Sequence, residues 1–216
     1  MQNALLYHFQ KNRKKEDVFP YLVHRIDKDT SGLIIIAKNE KAQTSLGRQF
    51  FEHTVERRYV GLVWGNPVEE KGTITGNLAR SASNRKMMTV YPEGDHGKHA
   101  VTHYEVLERF RYVTLVEFRL ETGRTHQIRA HFRYIGHPLF ADGLYGGDKI
   151  LKGTTFTKYK QFVDNCFKIM NRQALHARII GFEHPSTGKF MQFESALPED
   201  FREVVEKWRV YSGSLK

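Results

Sequence analysis

His24-Arg25-Ile26-Asp27-Lys28-Asp29-Thr30-Ser31-Gly32 runs directly into Leu33-Ile34-Ile35-Ile36-Ala37. A segment dense in charge, hydroxyl groups and turn formers thus feeds a short β-branched apolar run, which reads as a loop entering a buried strand. Just upstream, Tyr21-Leu22-Val23 is a second short apolar stretch, and Asn12 to Asp17 is a charge run without periodicity, a solvated loop. Downstream, Lys41 to His53 places Ala42, Leu46, Phe50 and Phe51 at helical spacing, and Arg57 to Trp64 returns to strand character before Gly65-Asn66-Pro67 closes it. Further out, Ala100 to Leu107 and Tyr112 to Leu120 read as amphipathic strands linked at Arg109 to Arg111. Thr125 to Ile135 reads as a helix with Ile128, Phe132 and Ile135 on one face, Thr125 as N-cap and Gly136 as stop. A helix near Tyr159 to Met170, strands near Leu175 to Phe182 and Phe190 to Phe193, and a terminal helix from Glu199 to Trp208 complete the pattern. The elements predict an α+β fold: a mixed, largely antiparallel central sheet with flanking helices. At 216 residues the expectation is one domain over 1–216, large enough to bury a core without staples.

Thirty-four Lys and Arg against 24 Asp and Glu give a formal charge of +10, which favours a polyanionic partner with salt-dependent binding. Charge alone fits a merely basic soluble protein equally well. The single cysteine, Cys166, excludes an intrachain disulfide and makes a reducing compartment, the cytoplasm, the default location. No stretch approaches the ~18 apolar residues of a membrane span, and Met1 to Lys15 lacks a signal peptide's order, so no membrane partner is expected.

Residue types leave three readings of His24 to Gly32 open. The first is a turn, in which Asp and Ser side chains bond nearby amides and Gly32 is left-handed. A calcium loop is the second. With Asp27 as position 1, Asp29, Ser31 and Gly32 fit positions 3, 5 and 6, but Lys38 stands where a bidentate Glu is required. The third is a reactive carboxylate kept ionised beside a cation while a bulky substrate excludes water; at ~4 Å and an effective dielectric near 20 that attraction is about 4 kcal/mol before desolvation. His96, His99 and His103 suggest a metal. On a strand, however, a four-residue separation puts side chains ~13 Å apart, too far for two ligands at ~2 Å from one zinc, so no metal is expected.

His24-Arg25-Ile26-Asp27-x-x-Thr30-Ser31-Gly32-Leu33 is followed by Arg57-Arg58-Tyr59, Gly97-Lys98-His99-Ala100-x-Thr102 and Thr122-Gly123-Arg124-Thr125-His126-Gln127-Ile128-Arg129-x-His131. Gly136-His137-Pro138-Leu139-x-x-Asp142-x-x-Tyr145-Gly146, Leu175-His176-Ala177 and Phe182-x-His184-Pro185 come next. In order and spacing this series resembles the RluA-type pseudouridine synthases, from about Tyr21 to Phe201.

The resemblance implies an isomerase that converts uridines of structured rRNA or tRNA to pseudouridine, with RNA as partner and no cofactor. It implies Asp27 as the catalytic aspartate, Tyr59 as the tyrosine packed on the target base, and Arg129 as the cation paired with the carboxylate. Asp29 falls at a variable position of the motif and reads as turn-forming. Arg25 is implied in RNA contact at the space left by a flipped nucleotide, and Arg85, Lys86, Arg124, His126 and Gln127 are further RNA-contact candidates. Flipping costs a few kcal/mol and is easiest in loops whose bases are already unstacked. The strand with a Lys-Pro-Ala-Gly-like turn that usually precedes the motif, and the S4-type domain often found upstream, are not recognisable in 1–216. The alternative is a binding module of the same fold that has lost turnover. A monomer is the default.

Overall fold

The computed structural model describes residues 2–11 and 19–213; the charge run at Asn12 to Asp17 lies outside them. The elements are α1 (Gln2–Lys11), β1 (Tyr21–Leu22), β2 (Ser31–Gly32), β3 (Ile36–Ala37), α2 (Glu40–Phe51), β4 (Glu56–Trp64), β5 (Lys71–Arg80), β6 (Met88–Tyr91), β7 (Lys98–Arg109), β8 (Val113–Leu120), α3 (Gln127–Tyr134), α4 (Thr157–Ile169), β9 (Leu175–Glu183), β10 (Phe190–Glu194) and α5 (Glu199–Gly213). The main sheet runs β10-β9-β4-β8-β7-β5-β6, with β2 added beside β9. Every pairing along it is antiparallel except β2 with β9, which is parallel. The expected mixed, largely antiparallel α+β architecture is what the chain forms.

Two apolar clusters straddle the sheet because β8 buries both of its faces. Val113 and Leu115 join Leu62 and Trp64 of β4 under α4 and α5, where Tyr159, Val163, Cys166, Phe201, Val204 and Trp208 close the core. Val116 and Phe118 point the other way, to Ile128 and Phe132 of α3. Burial pushes the Cys166 thiol up to about 12, so it is an inert core residue rather than a reactive thiol.

Three expectations need correction. The run Leu33 to Ala37 is not one strand: Leu33 N donates to Ala177 O, and only Ile36 and Ala37 form a strand, paired with β1. The chain changes partner in the middle of the run. Its apolar side chains, Leu33, Ile35 and Ala37, fill the cluster under α2 with Leu46, Val55 and Ile180. Thr125 is not an N-cap. Helix α3 begins one residue later, from His126 in the left-handed region at φ 53°, without a side-chain cap. The third concerns Phe50 and Phe51, which do not share a face: Phe50 packs inward, and Phe51 is 84% exposed. Adjacent helical residues point about 100° apart, so one of the pair had to leave the core.

Candidate active site

The loop carrying Asp27 is fixed from two sides. Thr30 N donates to Asp27 O, closing a turn in which Asp29 takes φ 67°. From the lead-in to β9, Gln173 Nε2 donates to Lys28 O and Thr30 Oγ1, Arg172 donates to Asp29 O, and Ser31 Oγ lies 3.0 Å from His176 Nδ1. On the other side, His24 Nε2 accepts from Ile35 N at 2.8 Å while its ring stacks on Phe50. Burial first, and the Arg57 charge second, push the His24 imidazole down to about 4. It is therefore a neutral brace across the loop.

Strand β9 also fixes the neighbouring site group. Ala177 pairs with Gly32 of β2 on one side and with Tyr59 of β4 on the other. A register shift sits at this point: Arg58 pairs with Ile179 and Tyr59 with Ala177, so the extra, bulged residue is Arg178 of β9 while β4 runs on unbroken against β8. Gly32 has φ 112°, and a Cβ there would stand 2.2 Å from Ala177 O, so only glycine allows the loop to lie this close. Burial raises the Tyr59 phenol to about 12, with Arg57 opposing and Asp27 adding to the shift. Tyr59 is therefore neutral at ordinary pH.

Arg129 comes from α3, 6% exposed, and its guanidinium serves two carboxylates. Asp142 takes Nε at 2.7 Å and Nη2 at 2.9 Å, a bidentate pair, leaving Nη1 to reach Asp27 Oδ2 at 3.4 Å. The second contact is longer than a tight charge-assisted bond. It keeps a cation beside Asp27, 15% exposed, without tying down both of its oxygens. Burial lowers the Arg129 pKa but Asp142, Asp27 and Tyr145 more than compensate, so the net direction is up. The Tyr145 ring lies 4.9 Å from the guanidinium, and its hydroxyl accepts from Met88 N and sits 3.1 Å from His126 Nδ1. Asp142 and Tyr145 are the site residues that sequence reasoning left without a role.

Asp27 opens onto a cleft of about 510 Å³, within the size range of small-ligand pockets; Arg129, Asp142 and Tyr145 stand outside its lining. Asp27, Tyr59, Arg25, Arg124 and His126 all border it, joined by Arg57, Phe51 and His53. Arg85 and Lys86 do not; they are exposed on the β5–β6 loop. Gln127 borders the cleft but is buried, its Nε2 donating to Val101 O and Thr102 Oγ1 and its Oε1 accepting from Thr122 Oγ1 and Arg124 N. Its amide is consumed in folding the loop before α3, leaving none of its polar groups for RNA. His103 bonds Thr73 Oγ1 and Glu121 Oε1, and among the described residues no three His, Cys, Asp or Glu side chains are gathered as metal ligands. No helix of the described residues is long and apolar enough to cross a membrane.

The cleft thus holds a carboxylate, Asp27, with the Arg129 guanidinium 3.4 Å away and Tyr59 in the same lining. Residues 3–134 match the sequence family described as RNA pseudouridylate synthase. The chain belongs to the RNA pseudouridylate synthase family. A member from Chlorobaculum parvum, described as an uncharacterised RNA pseudouridine synthase, is 46% identical over 213 residues, covering 97% of this chain and 65% of that protein. The ribosomal large subunit pseudouridine synthase D of Zymomonas mobilis is 41% identical over 207 residues, covering 93% and 60%. The chain thus spans less than two thirds of the length of these pseudouridine synthases. Among solved structures, human RNA pseudouridylate synthase domain containing 1 superposes with a TM-score of 0.68 at 26% identity, over 88% of this chain and 73% of that one. The RluA-type resemblance of the sequence motifs agrees with these relatives.

Proposed function

We propose that this chain isomerises uridine in structured RNA to pseudouridine, with Asp27 as the essential catalyst. The observation that carries the reading is Asp27 in the lining of a cleft shared with Tyr59, with Arg129 reaching its carboxylate while Asp142 holds the other edge of the guanidinium. A uridine whose bond is to be broken must leave the helical stack. In the cleft its base packs on the Tyr59 ring, and Asp27 drives cleavage of the N-glycosidic bond. The freed base turns and re-attaches through carbon 5, whose proton departs while N1, released from the sugar, takes one up. Substrate and product are isomers, so the route consumes no electron donor or transferred group and needs no cofactor.

Arg25 at the mouth fills the space the nucleotide leaves, Arg124 and His126 contact the strand near the cleft, and Arg85 and Lys86 hold RNA further out on the β5–β6 loop. Exposed Phe51 offers a ring on which an unstacked neighbouring base can lie. The name of the Zymomonas mobilis relative makes large-subunit ribosomal RNA the first substrate to test and tRNA the second.

The experiment is release of tritium from RNA carrying 5-tritiated uridine. Wild-type protein should release it, and Asp27→Asn, which keeps the shape but removes the anionic oxygen, should bind RNA normally and release none. Near-wild-type turnover by Asp27→Asn removes Asp27 from the mechanism, and a folded wild type that binds RNA without any release favours the non-catalytic binding module.

A further inference from the structure

We propose that Arg57, with Arg124 and His53 beside it, forms a seat for a backbone phosphate of the RNA strand next to the uridine held in the cleft. The proposal rests on the reading of the cleft as a uridine site and adds the subsite that grips the strand. Arg57 is 8% exposed and lies on the wall of the cleft. Its guanidinium is placed by the protein: one Nη donates to Glu121 O at 3.1 Å, and the group lies 5.9 Å over the Phe50 ring. Among the described residues, no carboxylate is paired with it. Nε is buried without a hydrogen-bond partner, and the nearby carboxylates are engaged elsewhere, Glu56 with Arg58 and Glu121 with His103. A buried cation with no anion is costly, and here desolvation does lower its pKa, opposed only by the phenol of Tyr59.

Access to the guanidinium is kept by a residue without a side chain. Gly123 and Arg57 both line the cleft, and a Cβ on Gly123 would stand 2.4 Å from Arg57 Nη1, so any side chain at 123 would sit on the end of the guanidinium. The same wall carries Arg124 and His53. His53 has its pKa lowered by desolvation and by the positive charges of Arg57 and Arg124, which places the three groups within electrostatic reach of one another. Arg57 and Tyr59 are two residues apart on β4, a separation of ~6.6 Å on one face of a strand. A nucleotide with its base on Tyr59 therefore brings an adjoining phosphate toward Arg57, whose Nη1 can donate to a phosphate oxygen while Nη2 stays on Glu121 O.

The test combines RNA binding with kinetics in the intact protein. Bulk ribosomal RNA is bound across a series of KCl concentrations, and tritium release from 5-tritiated RNA supplies kcat and KM. For Arg57→Met the slope of log affinity against log salt should flatten by about 0.7, the loss of one phosphate contact on a single strand, and KM should rise ~10-fold or more with kcat changed less than ~3-fold. Arg57→Lys keeps the charge but not the fork, so its slope should match wild type while KM still rises. An unchanged slope in a folded Arg57→Met protein, or a fall in kcat without a change in KM, overturns the seat and leaves Arg57 a structural residue. Should Arg57→Met not fold, the wild type decides: its Arg57 Nε–H resonance, assigned by its absence in Arg57→Lys, should shift with uridine 5′-monophosphate and not with uridine, and an equal response to both refutes the proposal. A wild type that binds RNA but releases no tritium sinks the isomerase reading alone, and the salt slopes then still decide the phosphate seat.

Discussion

Arg129 can offer a single Nη to Asp27 because Asp142 holds the other edge of its guanidinium. Removing the charge of Asp142 leaves a buried arginine half-partnered and free to swing onto Asp27. For Asp142→Asn we expect a loss of about 3–5 kcal/mol in stability, the cost of breaking a buried pair from one side, read from urea unfolding. Because misplacement by ~1 Å can cost 10²-fold in rate, kcat for tritium release should fall on that scale while RNA affinity stays near wild type. A kcat within about threefold of wild type would mean that Asp142 serves stability only. Asp27, Tyr59 and Arg129 were legible because each sits inside a dense, recognisable motif. Asp142 also lies in a recognisable stretch, Gly136 to Gly146, but nothing there says which cation it meets; that partner appears only when the loop after α3 folds back over the helix. Gln127 was misjudged for a related reason. Coming just after Arg124 and His126 it reads as one more RNA contact, but its amide faces Val101 and Thr102 of β7, about 25 positions earlier in the chain.

Among the elements, β9 acts as the ruler of the site, because Ala177 sets the distance between the Asp27 loop and Tyr59. The parallel contact with β2 is only two residues long and depends on Gly32. Gly32→Ala puts a Cβ into the Ala177 carbonyl at a φ that L side chains rarely adopt, so we expect at least ~2 kcal/mol of destabilisation. Amide exchange should quicken at Leu33, whose N–H bonds Ala177 O, with the β4–β8 ladder still protected, and tritium release should be lost. Full activity in this variant would show that the loop does not need the β9 contact. Strong periodicities made α2, β4, β8 and α5 readable in the sequence. Strands β5 and β6 went unread: Lys71 to Arg80 alternates, but glycines at 72 and 76 leave only Ile74 and Leu78 as large apolar residues, too sparse to rise above a loop. The Leu33 to Ala37 run was misjudged in extent because hydrophobicity reports burial and not which partner a backbone pairs with.

For the molecule as a whole, buried neutral histidines set the acid limit of stability. Burial, then Arg57, pushes His24 down to about 4, and burial, then His99, does the same to His131. Each imidazole titrates near 6.5 when the chain unfolds, so between pH 6.5 and 4 the unfolded state binds more protons. Stability must then rise with pH across that window: the contribution is fully present above 6.5, shrinks as pH falls, and is lost below 4. Going from pH 7 to pH 5 should cost roughly 2 kcal/mol for each of the two groups, and the growing positive charge of a chain already at +10 acts in the same direction. The urea midpoint should therefore drop by roughly 1 M or more over these two units. His24→Gln separates this origin from carboxylate titration, since a Gln oxygen can still accept from Ile35 N and carries no titrating proton. Its stability difference between pH 7 and pH 5 should be smaller than that of wild type by about 2 kcal/mol. Parallel pH dependences for the two proteins would show that His24 is not held neutral, and that its ring does not brace the Asp27 loop as an acceptor.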